Sequence, residues 1–292
     1  MSSLPVQQIS GVYHRKIGDL VVTAISDGYI DGNLDLLKNV DVDRARKILV
    51  DAFRPVRRVS INAFLVRTKG ALVLIDTGTG GSLGPTNGWV VRNLGAAGVD
   101  AKDVNAVLLT HMHPDHSAGL THADTGKPIF PNAELVMHEA EPRYWLDDAE
   151  LARALNDRAK SMFEHSRAQI APYKTRTRLF SGGEVFPGIV AMPIPGHTPG
   201  HTGYLISSGP QQLLIWGDVV HVPEVQVALP DTGTNFDVDF EAARKSRKKV
   251  LDQVASDGLL VAGMHLHYPG FYHVARQGDG YFLHAEAWQH AL

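Results

Sequence analysis

The chain of 292 residues contains no cysteine, which excludes disulfide cross-links, thiolate metal ligands and a cysteine nucleophile. Neither sign of charge is in excess: 28 Lys and Arg stand against 31 Asp and Glu, for a net charge of -3. Binding to nucleic acid by phosphate neutralisation is therefore not expected. No apolar run approaches the roughly 20 residues that a membrane-spanning helix needs, so no membrane partner is expected. The opening Met1-Ser2-Ser3-Leu4-Pro5 has neither the basic segment nor the apolar core of a secretory leader, and the expected location is cytoplasmic. Linkers rich in Pro and Ser and repeats of solenoid period are missing too, so residues 1–292 are expected to form one domain. Hydrophobic residues at 44% and charged residues at 20% are those of an ordinary globular protein with enough apolar surface for a core. One residue type is over-supplied, histidine, at 15 copies.

Short apolar runs alternate with longer helical patterns. Strands are predicted over Asp19–Ile25, Ile61–Arg67 and Ala71–Ile75, the last entering the glycine-rich turn Asp76-Thr77-Gly78-Thr79-Gly80-Gly81. A helix is predicted over 89–97, and a buried strand over Ala106–Thr110 that delivers the chain into a histidine cluster. Further strands are expected at Glu134–His138, Val185–Met192, Tyr204–Ile206, Gln212–Trp216 and Leu259–Ala262. Residues 139–170 read as mostly helical, with Trp145 and Phe163 as core positions. A second helix spans 239–255, its basic run Arg244–Lys249 read as a solvated face.

His111-Met112-His113-Pro114-Asp115-His116 places three imidazoles and a carboxylate at a strand end, where alternate side chains project together and the next turn brings the last two round. Imidazole and carboxylate suit zinc, manganese, iron or cobalt, and four donors this close can hardly all serve one tetrahedral ion. Two divalent ions are the natural inference. The remaining donors should come from other strand ends with turn-forming glycine: His197 in Pro195-Gly196-His197-Thr198-Pro199-Gly200-His201, Asp218 in Trp216-Gly217-Asp218, and His265 or His267 in Gly263-Met264-His265-Leu266-His267. A purely structural role for the 111–116 cluster would crowd imidazoles into one turn for no packing gain. His201, His138 and His122, with His14, His165, His284 and His290, read as surface or hydrogen-bonded histidines.

The run H-x-H-x-D-H followed by a distant His, an Asp and a final His resembles the metallo-β-lactamase-fold hydrolase superfamily. The resemblance implies an α/β (α+β) fold, a four-layer αββα sandwich with a dinuclear site on loops at one edge. It assigns one ion, most simply zinc, to His111, His113 and His197 and the other to Asp115, His116 and His265, with Asp218 bridging. His265 is preferred to His267 because the segment from Gly263 to His273 resembles the tail of methyl-parathion-hydrolase-like and related lactonase members. Asp76 matches the family aspartate that orients a ligating histidine. A homodimer is implied by analogy only.

Within the superfamily, the bridging aspartate and the seven-ligand set set this chain apart from true β-lactamases and from single-iron sulfur dioxygenases. Its length leaves no space for the extra domains of the RNA-processing and flavodiiron branches. The tail after Phe271 lacks the basic helical region of glyoxalase II. The resemblance leaves the lactonases and phosphotriesterases, and the expected activity is opening lactones or cleaving activated aryl esters with a hydroxide held between two ions. The alternatives are an organophosphate triesterase, an acyl-homoserine lactonase, and a metal-stabilised binding protein without turnover. Acyl-homoserine lactonases of the superfamily usually place a tyrosine three residues after the bridging aspartate; here that position is His221, whose imidazole can donate to a developing oxyanion. Asp115 is the expected proton carrier to the leaving oxygen. The pocket wall is sought in Leu83, Trp145, His221 and Phe236.

Overall fold

Valine, isoleucine and leucine fill the strand runs so densely that both faces of each sheet have to be covered, which two helical layers do. The computed structural model describes residues 8–292; the leader reading at Met1–Pro5 lies outside them. In chain order the strands are β1 (Val12–Ile17), β2 (Leu20–Gly32), β3 (Leu37–Lys38), β4 (Arg57–Arg67), β5 (Leu72–Ile75), β6 (Ala106–Leu108), β7 (Glu134–His138) and β8 (Thr177–Phe180), then β9 (Gly183–Phe186), β10 (Ile189–Pro193), β11 (Thr202–Ser208), β12 (Gln211–Ile215), β13 (Gly233–Thr234), β14 (Leu260–Ala262), β15 (Phe271–Gln277) and β16 (Gly280–Ala285). Two seven-stranded sheets result, ordered β1-β2-β4-β5-β6-β7-β8 and β16-β15-β14-β12-β11-β10-β9, with β3 and β13 paired apart.

Alternation builds the layers. In β5, Val73 and Ile75 point between the sheets toward Ile206, Leu213 and Ile215, while Leu74 points outward to Val90 and Leu94 of the helix Val90–Ala96. On the other sheet Leu214 and Val261 face outward to Val250, Leu251 and Val254 of the helix Phe240–Asp257. The order is helix, sheet, sheet, helix, the mixed α/β sandwich expected. β6 lies parallel to β5, and β14 parallel to β12, so the segments leaving these strands depart from one edge. Those segments hold Asp76, His111–His116, Asp218 and His265.

Several local expectations change. The strand expected over Val185–Met192 is two strands, β9 and β10, broken at Gly188, whose φ of 78° suits a turn without a side chain. The helical stretch over 139–170 is three helices, Ala140–Trp145, Asp148–Arg153 and Asp157–Ile170, because Asp147 and Asn156 accept hydrogen bonds from Ala149 N and Ala159 N and restart the helix. The basic run is not wholly solvated: Arg247 is 2% exposed and donates from Nε to the Val219 carbonyl at 2.8 Å. Two helices go unread in the sequence: Val42–Asp51, capped by Asp41 with Val42, Ala45, Ile48 and Leu49 on one face, and the six-residue Pro223–Ala228, too short to show a period.

Candidate metal centre

Leaving β6, the backbone alternates, so His111 and His113 turn into the edge cleft while Met112 packs into the core. Pro114 then opens a one-turn helix, Pro114–Ser117, that swings Asp115 and His116 to the same side. The turn between β10 and β11 brings His197, and the ends of β12 and β14 bring Asp218 and His265. Asp218 Oδ2 is ringed by imidazole nitrogens: 3.7 Å from His111 Nε2, 3.2 Å from His116 Nε2, 3.3 Å from His197 Nε2, 3.1 Å from His221 Nε2 and 3.2 Å from His265 Nε2. Asp115 Oδ2 lies 3.3 Å from His265 Nε2 and 3.5 Å from His116 Nε2.

The outward hydrogen bonds of these rings decide which nitrogens are bare. His116 Nδ1 donates to Asp76 Oδ2 at 2.7 Å, His197 Nδ1 to Asp237 Oδ1 at 2.9 Å and His265 Nδ1 to the Ser60 carbonyl at 2.9 Å. His111 Nδ1 donates to Thr110 Oγ1 at 3.0 Å, and that hydroxyl donates to Asp76 Oδ2 at 2.7 Å, so one aspartate orients two histidines. Asp76 holds this place in the left-handed region at φ 59°, an uncommon conformation for a residue with a side chain. With Nδ1 carrying the proton, four Nε2 lone pairs converge inward. His111 Nε2 and His113 Nδ1 approach to 3.0 Å, and His113 Nδ1 and His197 Nε2 to 2.9 Å. Nitrogens at that separation need a shared proton or a cation between them, and a tetrahedral zinc site has nitrogen–nitrogen edges of about 3.3 Å. Asp218 Oδ1 and His116 Nε2 are buried without a hydrogen-bond partner among the described residues, the mark of coordinating atoms. The donor set fits two divalent cations: His111, His113 and His197 form one compact group and Asp115, His116 and His265 another.

Electrostatics divide these rings into two sets. Burial drives the pKa values of His111 and His113 well below the ordinary range, which keeps their lone pairs available. Burial alone would also lower His197 and His265, but Asp218 and Asp237 raise the first to about 9, and Asp218 and Asp115 raise the second to about 10. For Asp218, burial opposes ionisation, yet the surrounding imidazoles, His116 foremost, hold it well below the usual carboxylate range. His111 and His113 are thus neutral donors, while His197 and His265 hold protons that a cation beside Asp218 would displace.

The neighbouring histidines separate cleanly. His201 spends both nitrogens on backbone: Nδ1 donates to the Ile194 carbonyl and Nε2 accepts from Asp218 N, each at 2.8 Å. It braces Asp218 and faces no vacancy among the donors; burial pushes its pKa down to about 3. A side chain at Gly217, where φ is 61°, would collide with that ring. His267 turns away from the cluster to Glu224 Oε1 at 2.6 Å, whereas His265 faces both aspartates. Sequence reasoning missed Asp237, a lone aspartate in a Thr- and Asn-containing loop that reads as a turn. It also missed Glu141, fully buried although its helix reads as a surface one. Glu141 accepts from Met112 N, Trp145 Nε1, Gly200 N and the Thr198 hydroxyl, tying the His113 loop to the His197 loop.

A cleft of about 320 Å³ opens onto the cluster, with Leu83, Asp115, His221 and Phe236 among its walls. Trp145 does not line it. Its ring packs edge-on against His113 at 5.4 Å and borders an adjoining hollow shared with Phe236.

The Metallo-beta-lactamase superfamily profile matches residues 56–265. Among solved structures, the hydrolase AbOPH of the beta lactamase superfamily is 31% identical, with a TM-score of 0.91 over 97% of this chain and 100% of that one. AidC, a dizinc quorum-quenching lactonase solved with the product N-hexanoyl-L-homoserine, is 28% identical at the same TM-score and coverage. An N-acyl homoserine lactonase from a Bacillus species is 24% identical over 213 residues, 65% of this chain and 76% of that protein. The first curated relatives matched, among them the Bacillus subtilis protein YobT and a probable metallo-hydrolase of Mycobacterium tuberculosis, are each spanned over 56% of their length. No helix among the described residues is long and apolar enough to cross a membrane. With the profile covering the segment that carries every converging histidine and aspartate, the chain belongs to the metallo-β-lactamase superfamily.

Proposed function

We propose that the protein is a dinuclear-metal hydrolase that opens lactones or cleaves activated aryl esters. The observation that carries this reading is the ring of five imidazole nitrogens at 3.1 to 3.7 Å around Asp218 Oδ2. His111, His113 and His197 would hold one ion and Asp115, His116 and His265 the other, with Asp218 shared; zinc suits these donors best, and manganese, iron or cobalt are compatible. Two such ions supply Lewis-acid activation of water near neutral pH and polarisation of the reacting carbonyl.

The chain's own residues do the rest. Asp115, at 22% side-chain exposure, faces the cleft and would carry a proton to the leaving oxygen. His221, whose ring lines the same wall with Nε2 3.1 Å from Asp218 Oδ2, would turn an N–H to the oxygen on which charge develops once a cation engages that carboxylate. Leu83 and Phe236 supply apolar wall that excludes water from the scissile group. Asp76 and Asp237 hold the rings of His116 and His197 in the orientation this requires.

Acyl-homoserine lactones are the second substrate class, favoured by the likeness to AidC across nearly the whole chain. The test is a panel on metal-loaded protein: dihydrocoumarin, an aryl acetate, an acyl-homoserine lactone and a methyl phosphotriester. The lactones or the aryl ester should give the highest kcat/KM. A large preference for the triester overturns the reading, and two bound ions with no hydrolysis would make the protein a binding module.

A further inference from the structure

Away from the metal donors, the cleft has two arginines in walls that are otherwise largely apolar. Arg57, at the start of β4, and Arg158, on the helix Asp157–Ile170, reach the cleft from different parts of the chain, alongside Val59, Leu83, Met162 and Phe236. Among the described residues neither is ion-paired. Asp31, the acid whose charge acts on Arg57, is engaged by Arg58 through two hydrogen bonds of 2.7 and 2.8 Å. Arg57 Nε is buried with no hydrogen-bond partner among the described residues. Its guanidinium lies across Gly32 of the neighbouring strand, where any side chain would collide with it. The Arg158 guanidinium sits 4.8 Å from the centre of the Phe236 ring.

Half-buried Arg57, with an unpaired buried donor, and exposed Arg158, over the Phe236 face, line the same cleft and make this wall positive, while the nearest acid, Asp31, is shared with Arg58. A guanidinium fork matches the oxygens of a carboxylate, sulfonate or phosphate. We propose that this cleft selects esters or lactones bearing an oxyanion substituent, which Arg57 and Arg158 grip while the scissile carbonyl lies against the histidine and aspartate cluster. The inference rests on the hydrolase reading for its chemistry, but its binding component stands separately.

The test uses metal-loaded enzyme and three acetates, 4-acetoxybenzenesulfonate, 4-acetoxybenzoate and neutral 4-(methylsulfonyl)phenyl acetate, each corrected for its own hydroxide-catalysed rate. At low ionic strength the anionic esters should be preferred in kcat/KM by about 10-fold, the scale of a charge-assisted contact. The preference should shrink in about 0.5 M salt, because these groups are partly open to solvent. Replacing both arginines, Arg57→Met with Arg158→Met, should bring the ratio close to one, and Arg57→Lys alone should keep part of it. Calorimetry with benzenesulfonate against methyl phenyl sulfone gives the readout that needs no turnover. Tighter binding of the sulfonate, lost in the double variant, supports the site even where no ester is hydrolysed, a result that would sink only the hydrolase reading. Ester turnover with no anionic preference, or sulfonate binding that survives loss of both arginines, overturns the inference and leaves the hydrolase reading standing.

Discussion

The N-terminal sheet delivers four converging side chains from one short segment, His111–His116, whereas the C-terminal sheet delivers His197, Asp218 and His265 from three separate loops. The first group is oriented largely by its own neighbours, through Thr110 and Asp76. The second group is referenced to the first half of the molecule. Glu141 holds Thr198 and Gly200, the Ser60 carbonyl holds His265, and Asn62 Nδ2 donates to the carbonyls of Gly263 and Leu266 at 3.1 and 2.7 Å. One half carries a local motif. The other is held in part by its own Asp237 and His201, and in part by contacts that form only when the two sheets pack.

The sharpest way to break this comparison is at the atom both halves share. Asp218→Asn or Asp218→Ala should lower kcat/KM by about 1,000-fold, the scale of removing a principal charge-stabilising group, and bound metal should fall below two equivalents per chain. Activity assays with elemental analysis check it; a full rate with two ions would remove Asp218 from the centre. Next in size is the last loop of the C-terminal half. His265→Ala should weaken metal binding by 100-fold or more, about the upper end of what even an orienting partner costs. His267→Ala, which breaks only the contact to Glu224, should leave metal content intact, and His201→Ala, which removes the brace on Asp218 N, should weaken binding less than His265→Ala does. Chelator competition separates these variants, and metal loss confined to His267→Ala inverts the assignment.

The orienting aspartates compare the halves directly. Asp76→Asn and Asp237→Asn should each weaken metal binding by about 10- to 100-fold, with Asp76 the more damaging because it serves both His111 and His116. Equal losses in the same competition assay would show that Asp76 serves one ring only, and no loss at Asp76 would show that the N-terminal motif holds its rings without that aspartate. The smallest effect is expected on the cleft wall. Phe236→Leu and His221→Leu should change the ratio of lactone to phosphotriester turnover by a few fold, since the first widens the cleft for a bulkier centre and the second removes a donor. An unchanged ratio in both would place specificity elsewhere on the wall.

The same contrast accounts for what was legible in the sequence. The His111–His116 segment announces itself because six adjacent positions on a strand end and its turn are neighbours in space by covalent geometry alone. His197 and Asp218 were legible only through the family pattern, since Pro-Gly-His and Gly-Asp are ordinary turn sequences. Asp237 and Glu141 had no signal, because an orienting carboxylate is defined by a partner dozens of residues away. Trp145, read both as core and as substrate wall, is buried against Glu141 and outside the main cleft. Buried strands were found more readily than helices interrupted by Asx caps, as the division of 139–170 into three shows.

The central claim is that Asp218 joins two cations, one from each donor group. Anomalous scattering from crystals of the metal-loaded protein tests it most directly. Two peaks about 3.5–4 Å apart are expected on either side of the Asp218 carboxylate, one among His111, His113 and His197 and one among Asp115, His116 and His265. A single peak, or peaks that leave His265 or Asp218 uncoordinated, would contradict it.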